Sequence, residues 1–256
     1  MDTRKLWILA GLLLAGCGGS NEPSTSSDPT VGEPPAAGVE GGAAPEAAGT
    51  VAEPELVATS ASGASPTSER FRMGVNYLRL SPTQPTSSGP DQVEVAEIFW
   101  YGCPHCFNFD PTLESWRAGV ADYVHFVRVP AVWNPLLQLH ARAFYTAEQL
   151  GKGAEMHTEF FREIHERGNT LDTEAKLQEF FGRFGVDAAA FKTAFDSFDV
   201  HTKLQRADEL SRRYRIGSVP TIVVNGKYTS DGGQAGSYED LLALVDELTG
   251  AERAGR

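Results

Sequence analysis

The chain has 256 residues, 41% of them hydrophobic, and carries 34 acidic against 22 basic side chains for a net charge of −12. That acidity argues against nucleic acid as a partner and says little else. About 185 residues from Phe71 onward hold nearly all the aromatic side chains, enough for one compact domain, and no internal repeat is visible.

Arg4 and Lys5 precede an apolar run from Leu6 to Ala15 that ends in Leu14-Ala15-Gly16-Cys17. A run of roughly ten residues is too short to span a bilayer but suits the core of a signal peptide. The ending resembles the cleavage box of bacterial lipoproteins, which implies a signal over 1–16 and lipid attachment at Cys17. Gly18 stands where an Asp would resemble an inner-membrane retention signal, so a periplasm-facing outer-membrane anchor is favoured over an inner-membrane one. Residues 18–70 contain no Phe, Trp or Tyr and hold eight acids and one Arg. Such a stretch buries too little to offset its ordering entropy, so 17–70 reads as a lipidated cysteine followed by a disordered acidic tether with a coil span of roughly 40 Å.

Within 71–256 the elements follow in order. Val75 to Leu80 predicts a short strand and Gln92 to Trp100 a central one, poor in polar residues. A helix over 104–119 and a strand from Tyr123 to Val129 complete a β-α-β unit, which implies a parallel pair. From about 136 to 214 the spacing turns helical. Leu171, Leu177, Phe180, Phe181 and Phe184 repeat at helical intervals, with Asp172 or Thr173 as a cap, Asp187 caps a helix with Phe191 and Phe195, and a last insert helix covers roughly Val200 to Tyr214. Pro220 to Val224, an Asn225-Gly226 turn and Lys227 to Thr229 predict a hairpin. Ser237, with Asp240 three residues on, opens a final helix. The class is α/β: a β-α-β half and a β-β-α half around a helical insert.

Cys103-Pro104-His105-Cys106 carries the chemistry. Two cysteines at this spacing can close a small disulfide. A helix starting at the first would stabilise its thiolate through free backbone N–H groups and the dipole. Pro104 suits the first helical position, and Gly102 permits a tight exit from the strand. A stabilised thiolate both attacks disulfides and leaves readily. Glu97 falls by alternation on the face of Val93, Val95 and Phe99. Burial there would raise its pKa and suit it to exchange a proton with Cys106.

The order of elements resembles the thioredoxin fold. The segment Glu97 to Cys106, together with Gly217-Ser218-Val219-Pro220-Thr221 over a hundred residues later, resembles the DsbA family of periplasmic thiol oxidases. The resemblance covers about Phe71 to the last helix. It implies Cys103 as the nucleophile and Cys106 as the resolving thiol. His105 would help hold the Cys103 thiolate, so that the disulfide form is an oxidant. Glu97 matches the family's buried acid, and Asp110 stands where the family often has one. It further implies a cis bond before Pro220, leaving the Val219 backbone free to pair with an extended substrate. Trp100, Tyr101 and Phe107 would form an apolar rim for unfolded chains, although each could equally be core. No cofactor is implied beyond the Cys103–Cys106 disulfide. The partners would be reduced, unfolded secreted proteins and a DsbB-like quinone-linked membrane oxidase, with the protein acting as a monomer.

A zinc site is disfavoured, since Cys103, His105 and Cys106 have no second cysteine pair to complete four ligands. A reductase, an isomerase and a lipid-anchored holdase are the remaining rivals.

Overall fold

The computed structural model describes residues 70–256. The expected signal peptide, Cys17 and all of the tether but Arg70 lie outside them. Five strands form one sheet: β1 (Leu78–Arg79), β2 (Val93–Phe99), β3 (Val124–Pro130), β4 (Thr221–Val224) and β5 (Tyr228–Ser230). Their order is β1-β5-β4-β2-β3, with β2 parallel to β3 and the other pairs antiparallel. Helix α1 (Pro104–Gly119) makes the crossover between β2 and β3.

β2 lies in the middle, and all seven of its residues are buried. Its even positions Ala96 and Ile98 pack with Val129, Ala141, Ala207 and Val223, whereas Val93 and Val95 pack with Phe109, Leu113 and Leu241. Cover on both faces explains why five of its residues are apolar; the two glutamates, Glu94 and Glu97, are buried with hydrogen-bond partners, Ser87 N–H and Arg128.

The insert comprises α2 (Pro135–Gln149), α3 (Gly153–His165), α4 (Glu174–Gly182), α5 (Ala188–Phe195) and α6 (Phe198–Arg213). Thr173, not Asp172, caps α4 through its side chain; Asp172 instead bonds Thr170 and Lys176. Asn134, Asp187 and Ser197 cap α2, α5 and α6. Phe144, Phe160, Phe161, Phe180, Phe181, Phe191 and Phe195 are all buried in one cluster with Phe99. Each contributes roughly 1.5–3 kcal/mol, so the insert has its own core and rests on the end of β2.

The Asn225-Gly226 turn forms as expected. Both residues have positive φ (51° and 61°), and Lys227 N–H donates to the Val224 carbonyl at 2.9 Å. A short α7 (Gly232–Ala235) precedes α8 (Tyr238–Ala254), which Ser237 caps by accepting from Asp240 N–H.

The first strand is shorter than its sequence suggests. Gly74, at φ 82°, turns the chain so that its N–H donates to the Tyr77 carbonyl, and Asn76 accepts from Arg72 N–H. These local bonds leave Val75 53% exposed and confine pairing to Leu78–Arg79.

Candidate active site

Cys103 is the N-cap residue of α1, with an extended backbone and no side-chain cap, and Pro104 takes the first turn. Gly102 is required by a close approach, because a Cβ there would run into the Trp100 ring. Both cysteines are free thiols and buried. Their surroundings differ. The Cys103 thiol is lowered to about 6, first by a hydrogen bond from the Cys106 thiol and then by the backbone N–H groups of Cys106 and His105, with a smaller contribution from the His105 side chain. Burial pushes the Cys106 thiol far up, and the neighbouring Cys103 sulfur and the charge of Glu97 add to the rise. His105 and Pro104 are exposed.

The Val219–Pro220 bond is cis. The Cys103 thiol donates to the Val219 carbonyl across 3.4 Å, which brings together two motifs 116 positions apart. A hollow of about 500 Å³ opens beside them, lined among others by His105, Val219, Pro220, Gly233 and Tyr238. The Tyr238 hydroxyl donates to the His105 carbonyl at 3.0 Å.

Beneath the cysteines lies a charged network, buried except at Glu114. Register places Glu97 directly beside Arg128 of β3, whose Nε donates to the Glu97 carboxylate at 2.9 Å. The same guanidinium reaches Asp110 at 3.4 Å and also Glu114. Asp110, 3% exposed, takes further hydrogen bonds from His157 (3.0 Å) and Thr158 (3.3 Å). Glu97 is buried too deeply to be a solvated strand-end acid. Desolvation raises it to about 7 even against the opposing pull of Arg128. For Asp110, burial works upward, but the bonds from His157 and the charge of Arg128 hold it below the usual carboxylate range. Burial lowers His157, whose neutral ring can donate from Nε2 to Asp110 while Nδ1 accepts from the Tyr101 hydroxyl at 3.0 Å.

That last bond corrects one expectation. Tyr101 is no surface rim: it is 3% exposed, stacked on Phe160 and tied to His157 inside the insert's core. Its hydroxyl has a buried partner only if it points inward, which removes it from contact with any chain outside. Trp100 is half-buried and donates its indole N–H to His140 at 3.0 Å; Phe107, also half-buried, stacks on His165.

Arg128 and His157 escaped the sequence reading. An arginine between Val127 and Val129 in a strand that must lie beside β2 was the available signal for the first. For the second it was a histidine three and four residues before Phe160 and Phe161, on the apolar face of α3.

A model of the DSBA-like thioredoxin domain matches residues 122–243, starting beyond the cysteine pair. The thiol:disulfide interchange protein DsbA of Azotobacter vinelandii is 39% identical over 186 residues, covering 73% of this chain and 86% of the relative. Its counterpart in Pseudomonas aeruginosa is 37% identical over 199 residues, covering 78% and 94%. This chain belongs to the DsbA family. Among solved structures, Pseudomonas aeruginosa DsbA superposes with a TM-score of 0.69 at 38% identity, over 72% of this chain and 95% of that one. The DsbA of Xylella fastidiosa gives 0.66 at 35% identity, over 70% and 96%. As a DsbA-family member with a thioredoxin-like fold, the protein is a thiol:disulfide oxidoreductase of the disulfide oxidase type.

Proposed function

We propose that the protein donates a Cys103–Cys106 disulfide to reduced, unfolded exported polypeptides. The observation that carries this reading is the contrast between the two sulfurs: one thiol drawn down to about 6 at a helix mouth, the other buried and pushed up. A client thiolate attacks the Cys103 sulfur, the Cys103–Cys106 bond breaks, and the Cys106 sulfur departs with the electron pair and takes a proton, which Glu97, whose charge bears on the Cys106 thiol, would supply. A second client thiolate then attacks the client sulfur of the mixed disulfide. Cys103 leaves as a thiolate, so two electrons have passed from client to enzyme. Because the departing Cys103 thiolate is stabilised, this last step is favoured, and the disulfide form is an oxidant.

In this reading Val219, behind Pro220, offers its backbone as an edge for the extended client. Trp100 flanks the site, and Pro104 and His105 set the helix mouth. No cofactor is needed beyond the two sulfurs. The chain is taken to act as a monomer of three parts: a signal over 1–16, a lipidated Cys17 with an acidic tether to residue 70, and the catalytic domain over 71–256. It would face the periplasm from a lipid anchor, the outer membrane being favoured, and be reoxidised by a DsbB-like quinone-linked membrane protein. Among the described residues, no helix is long and apolar enough to cross a membrane.

The test is a glutathione redox titration of the protein alongside oxidation of a reduced, unfolded client. A potential near the oxidising end and loss of client oxidation in Cys103→Ser are expected. A potential near that of cytosolic reductants assigns the protein to the reductases instead, and full activity in Cys103→Ser removes the catalytic assignment.

A further inference from the structure

Three carboxylates share the Arg128 guanidinium, so which of them keeps a proton is decided by competition. The Glu114 side chain is 33% exposed and stays in reach of water. The contest therefore lies between Glu97 on β2 and Asp110 on α1, both buried. Glu97 has the closer bond to the cation, 2.9 Å against 3.4 Å for Asp110. By that measure alone Asp110 would carry the proton. Its other donors come from the insert: His157 Nε2 stands 3.0 Å from Oδ1, and the Thr158 hydroxyl 3.3 Å from Oδ2. Without His157, Asp110 would keep only the contacts of 3.3 and 3.4 Å, both beyond the usual hydrogen-bond range. His157 makes the deciding bond.

The direction of that bond is set from the other side of the ring. The buried Tyr101 hydroxyl meets His157 Nδ1 at 3.0 Å. If Nδ1 carried the ring proton, the hydroxyl hydrogen would lose this acceptor, a costly state in a core. With Nδ1 accepting, the proton of the neutral ring stands on Nε2 and faces Asp110. Burial, which lowers His157, keeps the ring uncharged. Asp110 thus meets a donor at each oxygen, and donors favour the carboxylate form. The other charges bearing on this relay are Arg128 on β3, Glu114 on α1 and Glu148 on α2, the last acting on Tyr101.

We propose that His157, oriented by Tyr101, is a positioning residue for disulfide exchange: by donating to Asp110 it leaves Glu97 as the carboxyl that holds the proton for Cys106. The proposal rests on the reading of Glu97 as proton source and extends it to the insert. When Cys106 departs as a thiolate, Glu97 gives it the proton and becomes the carboxylate that Arg128 pairs. When the disulfide re-forms, the Cys106 proton returns to Glu97. His157 acts throughout by way of Asp110.

The test is a carboxyl carbon-13 NMR titration of the full-length chain in its thiol and disulfide forms. In the unaltered thiol form Glu97 should titrate near pH 7, while Asp110 remains ionised to below 3.8. In His157→Leu the Glu97 midpoint should fall by about one pH unit and that of Asp110 should rise, the tenfold change that one hydrogen bond to a charged group provides. His157→Gln, whose amide can donate in place of Nε2, should bring Glu97 back toward its original midpoint. At pH 7 the protonated fraction of Glu97 in His157→Leu would drop from about half to about one-tenth. Reduction of the Cys103–Cys106 disulfide by glutathione should then slow about fivefold relative to the unaltered protein at the same pH. A proton found on Asp110 rather than Glu97 in the unaltered protein overturns the proposal with no variant needed. So does a Glu97 midpoint unchanged in His157→Leu, or one that falls equally in His157→Gln. If Glu97→Gln slows exchange and the Glu97 midpoint ignores His157, this proposal alone has failed. If the midpoint moves but exchange slows in neither His157→Leu nor Glu97→Gln, the Glu97 reading has failed and the exchange role of His157 with it.

Discussion

Cys103 and Cys106 stand three residues apart on the same helix, yet they occupy opposite electrostatic worlds. The mouth around Cys103 is built of backbone N–H groups and faces the exposed His105 and the Val219 edge, so negative charge is welcome there. One turn down, Cys106 is sealed at 0% exposure among Phe residues above Glu97 and Arg128, where charge is costly. The difference shows that a dithiol becomes directional through its surroundings rather than its spacing. A single helix turn suffices, because the helix end offers free donors and the next turn offers none.

The network under Cys106 is the first place to break that contrast. Arg128→Met leaves Glu97 and Asp110 buried without their shared cation, and a loss of about 3–5 kcal/mol in stability is expected at neutral pH. Denaturant unfolding measures it; a change within 1 kcal/mol would show that the carboxylates are paired another way.

Glu97→Gln is the next largest. Glu97 is raised from 4.5 to about 7 in the folded protein. Its contribution to stability is therefore fully present below pH 4.5 and lost as pH rises through 7. The variant has no such loss, so its stability relative to the parent should climb across that window by something on the order of 3 kcal/mol. The pH dependence of thiol exchange should flatten with it. An unchanged profile reassigns Glu97 to a purely structural role.

The mouth titrates in the opposite sense. Cys103 falls from 9.0 to about 6 on folding, so the reduced protein's gain is present above pH 9 and lost as pH falls through 6. At pH 7 this amounts to about 1.4 kcal/mol in favour of the reduced form. Thermal unfolding of both redox forms from pH 5 to 8 reads it directly, and a gap that stays constant with pH contradicts the thiolate argument. Smallest is His105→Ser. His105 contributes less to the lowered thiol than the hydrogen bonds do, so the potential should drop by on the order of 30 mV. No drop would leave the helix mouth as the whole cause.

Most of the architecture could be read from the chain because its signals are local. The central strand, the caps at Asp187 and Ser237, the Asn225-Gly226 turn and the phenylalanine spacing each report their own neighbourhood. Asp172 against Thr173 could not be separated, since both oxygens stand within reach of α4. Tyr101 was ambiguous for a different reason. A tyrosine beside a redox motif suits a rim as well as a core, and only His157, 56 positions away, decides which way its hydroxyl turns. Arg128 shows the same limit. Its charge was plain in the sequence, but its meaning depended on the strand register that sets Glu97 beside it and on the packing of α1, which brings Asp110 and Glu114 to the same guanidinium.

The 116 positions between Cys103 and Val219 also govern the timetable of assembly. Contacts between distant segments form late, since closing a long loop costs entropy before it returns anything. The pairing of β2 with β4 is such a contact, and the whole five-helix insert lies inside the loop it closes. A chain emerging N-terminus first therefore presents its cysteines long before the edge they work against. Until the final forty or so residues arrive to complete the sheet, the helix mouth at Cys103 faces no Val219 edge, and the sulfur stands ready before the surface that would hold a client beside it.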